Sequence, residues 1–380
     1  MTMPTTTAPT PAGPAGGIPV LRELGPVARI LFVLILLVAA GAVVLDLVVH
    51  VEPTVLFVVS AVGILGLAWV VGLSTERLGA VAGPQVGGVL NATFGNIAEL
   101  IIAFFALRAG LIDVVKASIT GSIIGNLLFV LGLSLLIGGL RNGTQVFDRR
   151  VAGSNAALLV LAAVGLFIPA VFSASSDGAG SGDRVIAESA FVAVILIGCY
   201  ALALVYQFRH PAETLGGHEA ASGHGGPAWS GKVAIGVLLV AAVFLTILSE
   251  ALVRSIEPFI EQFGLSPFFV GVILIPTIGN LAEHLVAVQL AWRDRIEFSL
   301  AVSFGSSLQV ALFVAPVLVL LGLLIGQPMD LAFAPLEVAA VGVAVAISAL
   351  VALDGESNWL EGLLLAAIYG ILAVTFFEMV

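Results

Sequence analysis

The sequence predicts an all-α polytopic membrane protein with about eleven transmembrane helices, arranged as one N-terminal helix and two inverted five-helix repeats. Three observations predict this fold class. The 380 residues are 60% hydrophobic and only 10% charged, whereas a soluble domain carries about 25% charged residues. Apolar runs of roughly 20 residues, long enough to cross a bilayer, recur along the whole chain. In addition, two long segments repeat each other at a constant offset.

Eleven apolar runs are predicted to span the membrane. They cover residues 28–49, 53–73, 85–107, 113–139, 151–173, 185–208, 233–253, 265–291, 297–324, 331–352 and 358–380. The chain then divides into a disordered tail at 1–20, an extra first helix at 21–52, a first five-helix repeat at 53–208, a cytoplasmic linker at 209–232 and a second five-helix repeat at 233–380.

The tail and the linker differ in composition from the spans. Residues 1–20 are rich in Thr, Pro, Ala and Gly and carry no charged side chain, which is typical of disorder. They lack the basic start and early apolar run of a secretory signal peptide, so we expect the first span to be retained. The linker at 209–232 contains His210, His218 and His224. We interpret it as a solvated flexible segment rather than a metal site or a pH sensor.

Lysine and arginine in the short loops predict the orientation. With a cytoplasmic N-terminus, ten basic residues fall in inner segments and four in outer segments. The inner ten are Arg22, Arg29, Arg77, Arg141, Arg149, Arg150, Arg209, Lys232, Arg293 and Arg295, and the outer four are Arg108, Lys116, Arg184 and Arg254. We therefore expect the N-terminus in the cytoplasm and the C-terminus outside. The short loops and the high Ala and Gly content favour a prokaryotic plasma membrane, with a vacuole-like membrane as the open alternative.

The repeated segments are Gly87–Gly132 and Gly271–Pro316, which match at 15 of 46 positions without a gap at an offset of 184. The polar and glycine matches include Thr93/Thr277, Gly95/Gly279, Asn96/Asn280, Glu99/Glu283, Gly121/Gly305 and Ser122/Ser306. Each segment covers the second and third spans of its five-span half. Because five is odd, the two halves cross the membrane in opposite directions. In many secondary transporters this arrangement places the binding site near the midplane, between the halves.

Glu99 and Glu283 occupy equivalent positions inside apolar spans, each within the motif GNxAE. A carboxylate at membrane depth costs several kcal/mol unless something compensates it. The spacing of three places each glutamate on the same helical face as the preceding asparagine. The glycine before each asparagine, together with Pro276, loosens the helix, so that main-chain carbonyls can line a cavity.

Two buried carboxylates suit a divalent cation. Ca²⁺ takes roughly six to eight oxygen ligands from carboxylates, carbonyls, amides and water. Beside the glutamate pair, further oxygens are expected from Asn96, Asn280, Ser122, Ser306 and Gln309. No cluster of Cys or His stands beside these residues, which argues against zinc or copper.

The same pair is a candidate proton-coupling site. Without a cation, two nearby carboxylates in a dry site cannot both stay ionised. Glu99 and Glu283 are therefore expected to hold either a divalent ion or protons, but not both. Mutual exclusion at one site is the physical basis of an antiporter, and the charge count gives about two protons for each Ca²⁺.

The remaining polar residues in the spans carry weaker signals. Glu76 and Glu250 lie near the ends of equivalent spans in the two halves, and they are candidates for lining an access path, with interfacial charges as the alternative. His284 points away from Glu283 on a helix, so we expect a helix-to-helix hydrogen bond rather than ligation. No role is assigned to Glu337, and the single cysteine, Cys199, is interpreted as a packing residue.

Four motif segments carry a resemblance to a known family. They read GGVLNATFGNIAELI, DVVKASITGSIIGNLLFVLG, IPTIGNLAEH and FGSSLQVALFVAPVLVLLG. They resemble the Ca²⁺/H⁺ antiporter family within the wider cation/Ca²⁺ exchanger superfamily, and weaker similarity extends over the whole chain from the first span. The resemblance implies eleven spans, two inverted halves and Ca²⁺ export driven by proton entry. It places the family's glutamates at Glu99 and Glu283 and its supporting polar positions at Asn96, Ser122, Asn126, Asn280, Ser306 and Gln309.

Two departures from the family pattern bear on regulation and coupling. Many relatives carry a strongly acidic segment between the halves, but the linker here has only Glu213 and Glu219, which argues against regulation through that segment. Sodium-driven members of the superfamily carry hydroxyl-rich motifs before the acid. The Gly-Asn pairs found here favour the proton-coupled branch.

Three alternatives to Ca²⁺/H⁺ exchange stay open at this stage. A monovalent-cation/H⁺ or Na⁺/Ca²⁺ exchanger would share the fold. A passive cation channel is less compatible with an inverted repeat of broken helices, and an intramembrane enzyme is disfavoured by the absence of HExxH and GxSxG motifs. We expect no resident cofactor: Ca²⁺ and H⁺ are substrates, and the lipid bilayer is the partner. The formal charge of −10 leaves no basic surface for nucleic acid, and the oligomeric state is left open.

Overall fold

The computed structural model describes residues 24–83, 93–175, 181–210 and 229–378, together with Leu90. Within these residues the chain forms a succession of long helices. They are α1 (Pro26–Val49), α2 (Pro53–Ala82), α3 (Ile97–Arg108), α4 (Ile112–Asn142), α5 (Arg149–Ser175), α6 (Ser181–Arg209), α7 (Gly231–Phe263), α8 (Pro267–Trp292), α9 (Ile296–Ile325), α10 (Pro335–Asp354) and α11 (Trp359–Glu378). Ten of them are long and apolar enough to cross a membrane, and α3, described only from Ile97, is the eleventh. The predicted all-α polytopic membrane fold is confirmed.

Some boundaries differ from the prediction. The spans predicted at 53–73 and 233–253 extend to Ala82 and Phe263, because α2 and α7 pack extensively against each other and so stay helical past the charged residues that end the apolar runs. The predicted tail at 1–20 and all but the ends of the linker at 209–232 lie outside the described residues. The division of the chain into repeats and linker therefore stays a prediction.

Three helices in the centre of the fold are interrupted by widened, π-helical turns. These turns cover Gly125–Val130 in α4, Val270–Leu274 in α8 and Val310–Val314 in α9. In α8 and α9 the cause is local. Pro276 and Pro316 follow the widened turns, and a proline without an N–H leaves the carbonyl four residues before it without its helical partner. Such turns are rare and are often found at functional sites.

α4 and α8 approach each other closely at two glycines. A Cβ on Gly121 would lie 2.0 Å from the carbonyl oxygen of Val272, and one on Gly271 would lie 2.6 Å from the Cβ of Ala117. Only glycine permits this main-chain contact. It brings one widened turn against the neighbouring central helix, as small residues do at close helix crossings in membranes.

Contacts of the connecting segments hold the helices together at each end of the bundle. At the end where the linker emerges, strand β1 (Gln145–Val146) pairs antiparallel with β2 (Glu356–Ser357), and the side-chain amide of Gln145 donates to Asp294 at 2.9 Å. At the opposite end Lys116 forms a 2.6 Å ion pair with Asp330. These contacts fix α4 relative to the second half at both ends, with the polar centre between them.

Candidate cation site

Glu99 lies in the first turn of α3, just after the turn formed by Gly95 and Asn96. Its side chain is only 4% exposed. Its Oε1 accepts hydrogen bonds from the Ser122 hydroxyl in α4 and from the side-chain amide of Asn280 in α8. The two halves of the chain therefore meet at one carboxylate oxygen, as the repeat predicts for a site between the halves.

Gly279 allows α8 to pass directly over this carboxylate. A Cβ built on Gly279 would lie 2.7 Å from Cγ of Glu99, far inside normal contact distance. The glycine in the second GNxAE motif is thus required by its contact with the glutamate of the first motif.

Glu283 lies one helical turn beyond Gly279 on α8, and its side chain is half-buried. Its carboxylate is close enough to Glu99 for the two charges to repel each other, and the Ser306 hydroxyl of α9 lies within hydrogen-bonding reach. The two repeat glutamates therefore lie near each other, and their joint role as one binding site stays a prediction.

Three buried oxygens in this cluster have no donor among the described residues. They belong to Glu99 (Oε2), Asn280 (Oδ1) and Glu283 (Oε2). A buried acceptor without a partner costs roughly 1–3 kcal/mol, and more when it is charged. Two carboxylate oxygens and one amide oxygen are hard ligands of the type that Ca²⁺ prefers. The arrangement can therefore be completed by a cation or by protons.

A chain of hydrogen bonds surrounds the glutamates. The Ser306 hydroxyl donates to the Asn96 side-chain oxygen at 3.0 Å, and Asn126 donates its amide to the Ser306 oxygen at 2.9 Å. Asn96 also donates to Gln309, and His284 pairs with the Asn126 side-chain oxygen at 3.1 Å. In this arrangement the oxygens of Asn96 and Asn126 are already engaged by protein donors. His284 makes the helix-to-helix hydrogen bond that its position predicts.

All eight predicted site residues therefore lie in one connected polar cluster. They are Asn96, Glu99, Ser122, Asn126, Asn280, Glu283, Ser306 and Gln309. Across the described part of the chain, no group of three or more His, Cys, Asp or Glu is placed to hold a metal ion. A cation at the cluster would thus rely on two carboxylates together with amide, hydroxyl and water oxygens.

A cavity of about 10 Å³ lies beside Glu99. It is lined by Glu99, Ala103, Ser118, Ile119, Ser122, Val310 and Val314. This is close to the minimum volume that holds one water molecule. The site is therefore tightly packed on this side, with room for about one water molecule next to the carboxylate.

Glu76 and Glu250 lie outside this cluster. Both are exposed, Glu76 on α2 and Glu250 on α7, the pair of helices that pack against each other. Their exposure is compatible with water-facing or interfacial positions. An access-path role stays a prediction.

Glu337, for which the sequence suggested no role, is a buried helix cap. It is 3% exposed, its Oε2 accepts from the main-chain N–H of Ala334 at 2.9 Å, and its Oε1 accepts from the Thr120 hydroxyl at 3.1 Å. A glutamate at the third helical position, after Pro335 at the first, is a recognisable signal for the start of a helix. The partner Thr120, 217 residues away, could not be found from the sequence.

Comparisons with known proteins identify the family. The model of the sodium/calcium exchanger protein family matches residues 52–209 and 233–378. A Ca²⁺/H⁺ antiporter of Aphanothece halophytica is 44% identical over 341 residues, covering 86% of this chain and 91% of that protein. The Ca²⁺/H⁺ antiporter ChaA of Bacillus subtilis is 41% identical over 361 residues, covering 92% of this chain and 99% of that protein.

The fold has a close counterpart among solved structures. The structure of native YfkE superposes with a TM-score of 0.79 at 38% sequence identity, covering 92% of this chain and all of that one. Both matched ranges of the family model contain one GNxAE glutamate, and the gap between them falls in the predicted linker. This chain belongs to the sodium/calcium exchanger protein family.

Proposed function

We propose that this protein is a secondary active transporter that exchanges Ca²⁺ for H⁺ across a membrane by alternating access. Glu99 and Glu283 bind either Ca²⁺ or protons. The observation that carries this proposal is the set of three buried oxygens without donors, which come from both glutamates and from Asn280. The similarity to proteins named Ca²⁺/H⁺ antiporters supports the same assignment.

Competition between the two ions follows from charge. Two ionised carboxylates in a poorly hydrated site repel each other, and the repulsion strengthens as the local dielectric constant falls. One Ca²⁺ cancels both charges and uses the free oxygens as ligands. Protonation cancels the charges too, but it converts an acceptor oxygen into a hydroxyl donor. A site loaded with protons therefore cannot hold Ca²⁺ in the same geometry.

The surrounding amides and hydroxyls complete and orient the site. Ser122 and Asn280 hold Glu99 from two different helices. Asn96, Asn126, Ser306 and Gln309 fix the neighbouring helix breaks relative to each other. In this assignment they contribute oxygens either directly or through water, after rearrangement of the hydrogen bonds described above.

The direction and location of transport follow from the orientation assigned to the sequence. We place the protein in a prokaryotic plasma membrane with its N-terminus in the cytoplasm and its C-terminus outside. Proton entry then drives Ca²⁺ out of the cell. Glu76 and Glu250 are assigned to the aqueous approach to the site, where their charges would raise the local concentration of cations.

The proposal is tested by ⁴⁵Ca²⁺ uptake into proteoliposomes with and without an acid interior. We expect uptake that requires the pH gradient and acidifies the bath. Uptake should be lost in Glu283→Gln, which removes one charge and keeps the shape of the side chain. A Cys199→Ser variant, altered away from the cluster, is the control and should transport normally. Uptake that follows a Na⁺ gradient and ignores pH would assign a sodium-coupled exchanger instead, and uptake without any counter-ion would assign a channel.

A further inference from the structure

We propose that Ser348 is a positioning residue for the transport site, acting through the widened turn of α4 on Asn126. This inference rests on the proposed function, because it assigns a role within the same site. Ser348 lies on α10, outside the two repeated sequence segments, and makes no contact with either glutamate among the hydrogen bonds of the described residues.

The first observation is a hydrogen bond between α10 and the main chain of α4. Ser348 is fully buried, at 0% exposure, and its hydroxyl donates to the carbonyl oxygen of Leu127 at 3.2 Å. Leu127 lies inside the π-helical turn Gly125–Val130. Serine hydroxyls in membrane helices commonly bond to a carbonyl of their own helix. This one instead supports a carbonyl of another helix at the point where its regular pattern changes.

The second observation is what the widened turn presents to the site. Asn126 immediately precedes Leu127, and its side chain joins Ser306 of α9 to His284 of α8. An inserted residue in a helix rotates the following side chains relative to the preceding ones. The wide turn therefore sets the rotation of the helical face that follows it relative to the face before it. The face before it carries Ser122, the partner of Glu99.

The third observation is a difference between the two repeats. In the second half, the widened turn Val310–Val314 lies at the equivalent place in α9. At the offset of 184, however, Asn126 corresponds to Val310 and Ser348 corresponds to Val164. The turn with a polar side chain, in the first half, accepts a hydroxyl from α10 of the second half, whereas the equivalent pair of positions in α9 and α5 has valine at both. Pro316 accounts for the wide turn in α9, whereas the equivalent residue in α4 is Gly132. The turn in α4 therefore needs support from outside its own sequence.

A second bond between the same helices keeps α10 in register with α4. Glu337, near the start of α10, accepts from the Thr120 hydroxyl of α4. Glu337 and Ser348 thus anchor α4 on both sides of Ser122. α10 acts as a rigid support along the helix that carries the site.

The test compares Ca²⁺ affinity in matched serine variants of the full-length protein. Equilibrium ⁴⁵Ca²⁺ binding to purified protein in detergent is the readout, since it can be measured even in a variant that no longer transports. Ser348→Ala is expected to raise the Ca²⁺ dissociation constant about fivefold, the effect of losing one ordinary hydrogen bond. Ser348→Thr, which keeps the hydroxyl, should restore the dissociation constant to within about twofold of wild type.

Ser255→Ala is the control for a purely structural effect. The Ser255 hydroxyl is also buried and bonded to a main-chain carbonyl, that of Ala251 at 3.0 Å on α7. Both alanine variants should lower the unfolding temperature, but only Ser348→Ala should weaken Ca²⁺ binding. An equal loss of affinity in both variants would overturn the proposal, as would wild-type affinity in Ser348→Ala.

A double-mutant cycle with Asn126 tests the route of the effect. In an Asn126→Ala background, Ser348→Ala should change the dissociation constant by less than about twofold, because the side chain that it positions is gone. A full fivefold effect in that background would show that Ser348 acts independently of Asn126. Failure of wild-type protein to couple Ca²⁺ uptake to pH would reject the proposed function, while the affinity comparison would still decide the role of Ser348.

Discussion

Replacement of Gly279 by alanine tests the close fit between the two repeats. The added Cβ would lie 2.7 Å from Cγ of Glu99 and 3.7 Å from its Cδ. Carbon atoms pack best at roughly 3.5–4.0 Å, so either the carboxylate or α8 must move by about 1 Å. Because Oε1 of Glu99 is bonded to both Ser122 and Asn280, such a shift strains or breaks those bonds.

The expected cost falls mainly on function. Overpacking of a buried site costs typically about 1–3 kcal/mol, which a folded protein of this size can survive. A displacement of about 1 Å in a binding constellation can reduce activity by about a hundredfold. We therefore expect Gly279→Ala to be produced in normal yield and to lose about 99% of its pH-driven ⁴⁵Ca²⁺ uptake.

The matched control is Gly236→Ala on α7. Gly236 also lies within a helix, but nothing among the described residues lies within 4 Å of a Cβ added there. Alanine at such a position stabilises a helix by up to about 1 kcal/mol, so transport should be unchanged. Wild-type transport in Gly279→Ala, in vesicles where Gly236→Ala is also active, would refute the claim that α8 must pass directly over Glu99.

Three further outcomes are expected. Gly121→Ala should reduce the unfolding temperature strongly or prevent folding, because its Cβ would lie 2.0 Å from the Val272 carbonyl oxygen, in the main chain of α8; normal thermal stability in a detergent melt would contradict this contact. Lys116→Met should destabilise the fold by about 1 kcal/mol through loss of the partly exposed ion pair with Asp330, and high salt should shrink the difference from wild type. Ca²⁺ affinity should fall as the pH is lowered, since protons occupy the glutamate pair, and a plot of log Kd against pH with a slope near minus two would match two competing protons; a flat plot would contradict competition.

Much of the fold could be predicted from the sequence because hydrophobic length is a strong signal in membrane proteins. The predicted ends of α2 and α7 differ most from the ends of these helices in the structure. Glu76 and Arg77 in α2, and Glu250 and Arg254 in α7, lower the local hydropathy, although tertiary packing keeps both helices intact. Arg254 also pairs with Asp46 of α1 at 2.6 Å, a partner 208 residues away that no local pattern indicates.

The sequence predicted those residues of the candidate site that belong to the repeated motifs. The paired motifs located Glu99 and Glu283, and the resemblance added Asn126. The repeat did not predict how the two halves differ. Ser122 bonds to Glu99, whereas its equivalent Ser306 lies between Asn96, Asn126 and Glu283. Such differences arise from packing between helices far apart in sequence.

The contacts that α10 makes with α4 could not be predicted from the sequence for the same reason. Ser348 and Glu337 are single polar residues in an apolar helix, without a motif. Their partners, Leu127 and Thr120, lie more than 200 residues earlier in the chain. Only the arrangement of α10 beside α4 gives these residues a physical role.

The most direct test of the central claim is the number of protons released when Ca²⁺ binds. Purified protein in weakly buffered detergent solution at acidic pH is titrated with Ca²⁺ while the pH is recorded. If one Ca²⁺ displaces the protons of Glu99 and Glu283, about two protons should appear for each Ca²⁺ bound, and Glu283→Gln should show neither binding nor release. Ca²⁺ binding without proton release would contradict the claim that both ions compete for the same carboxylates.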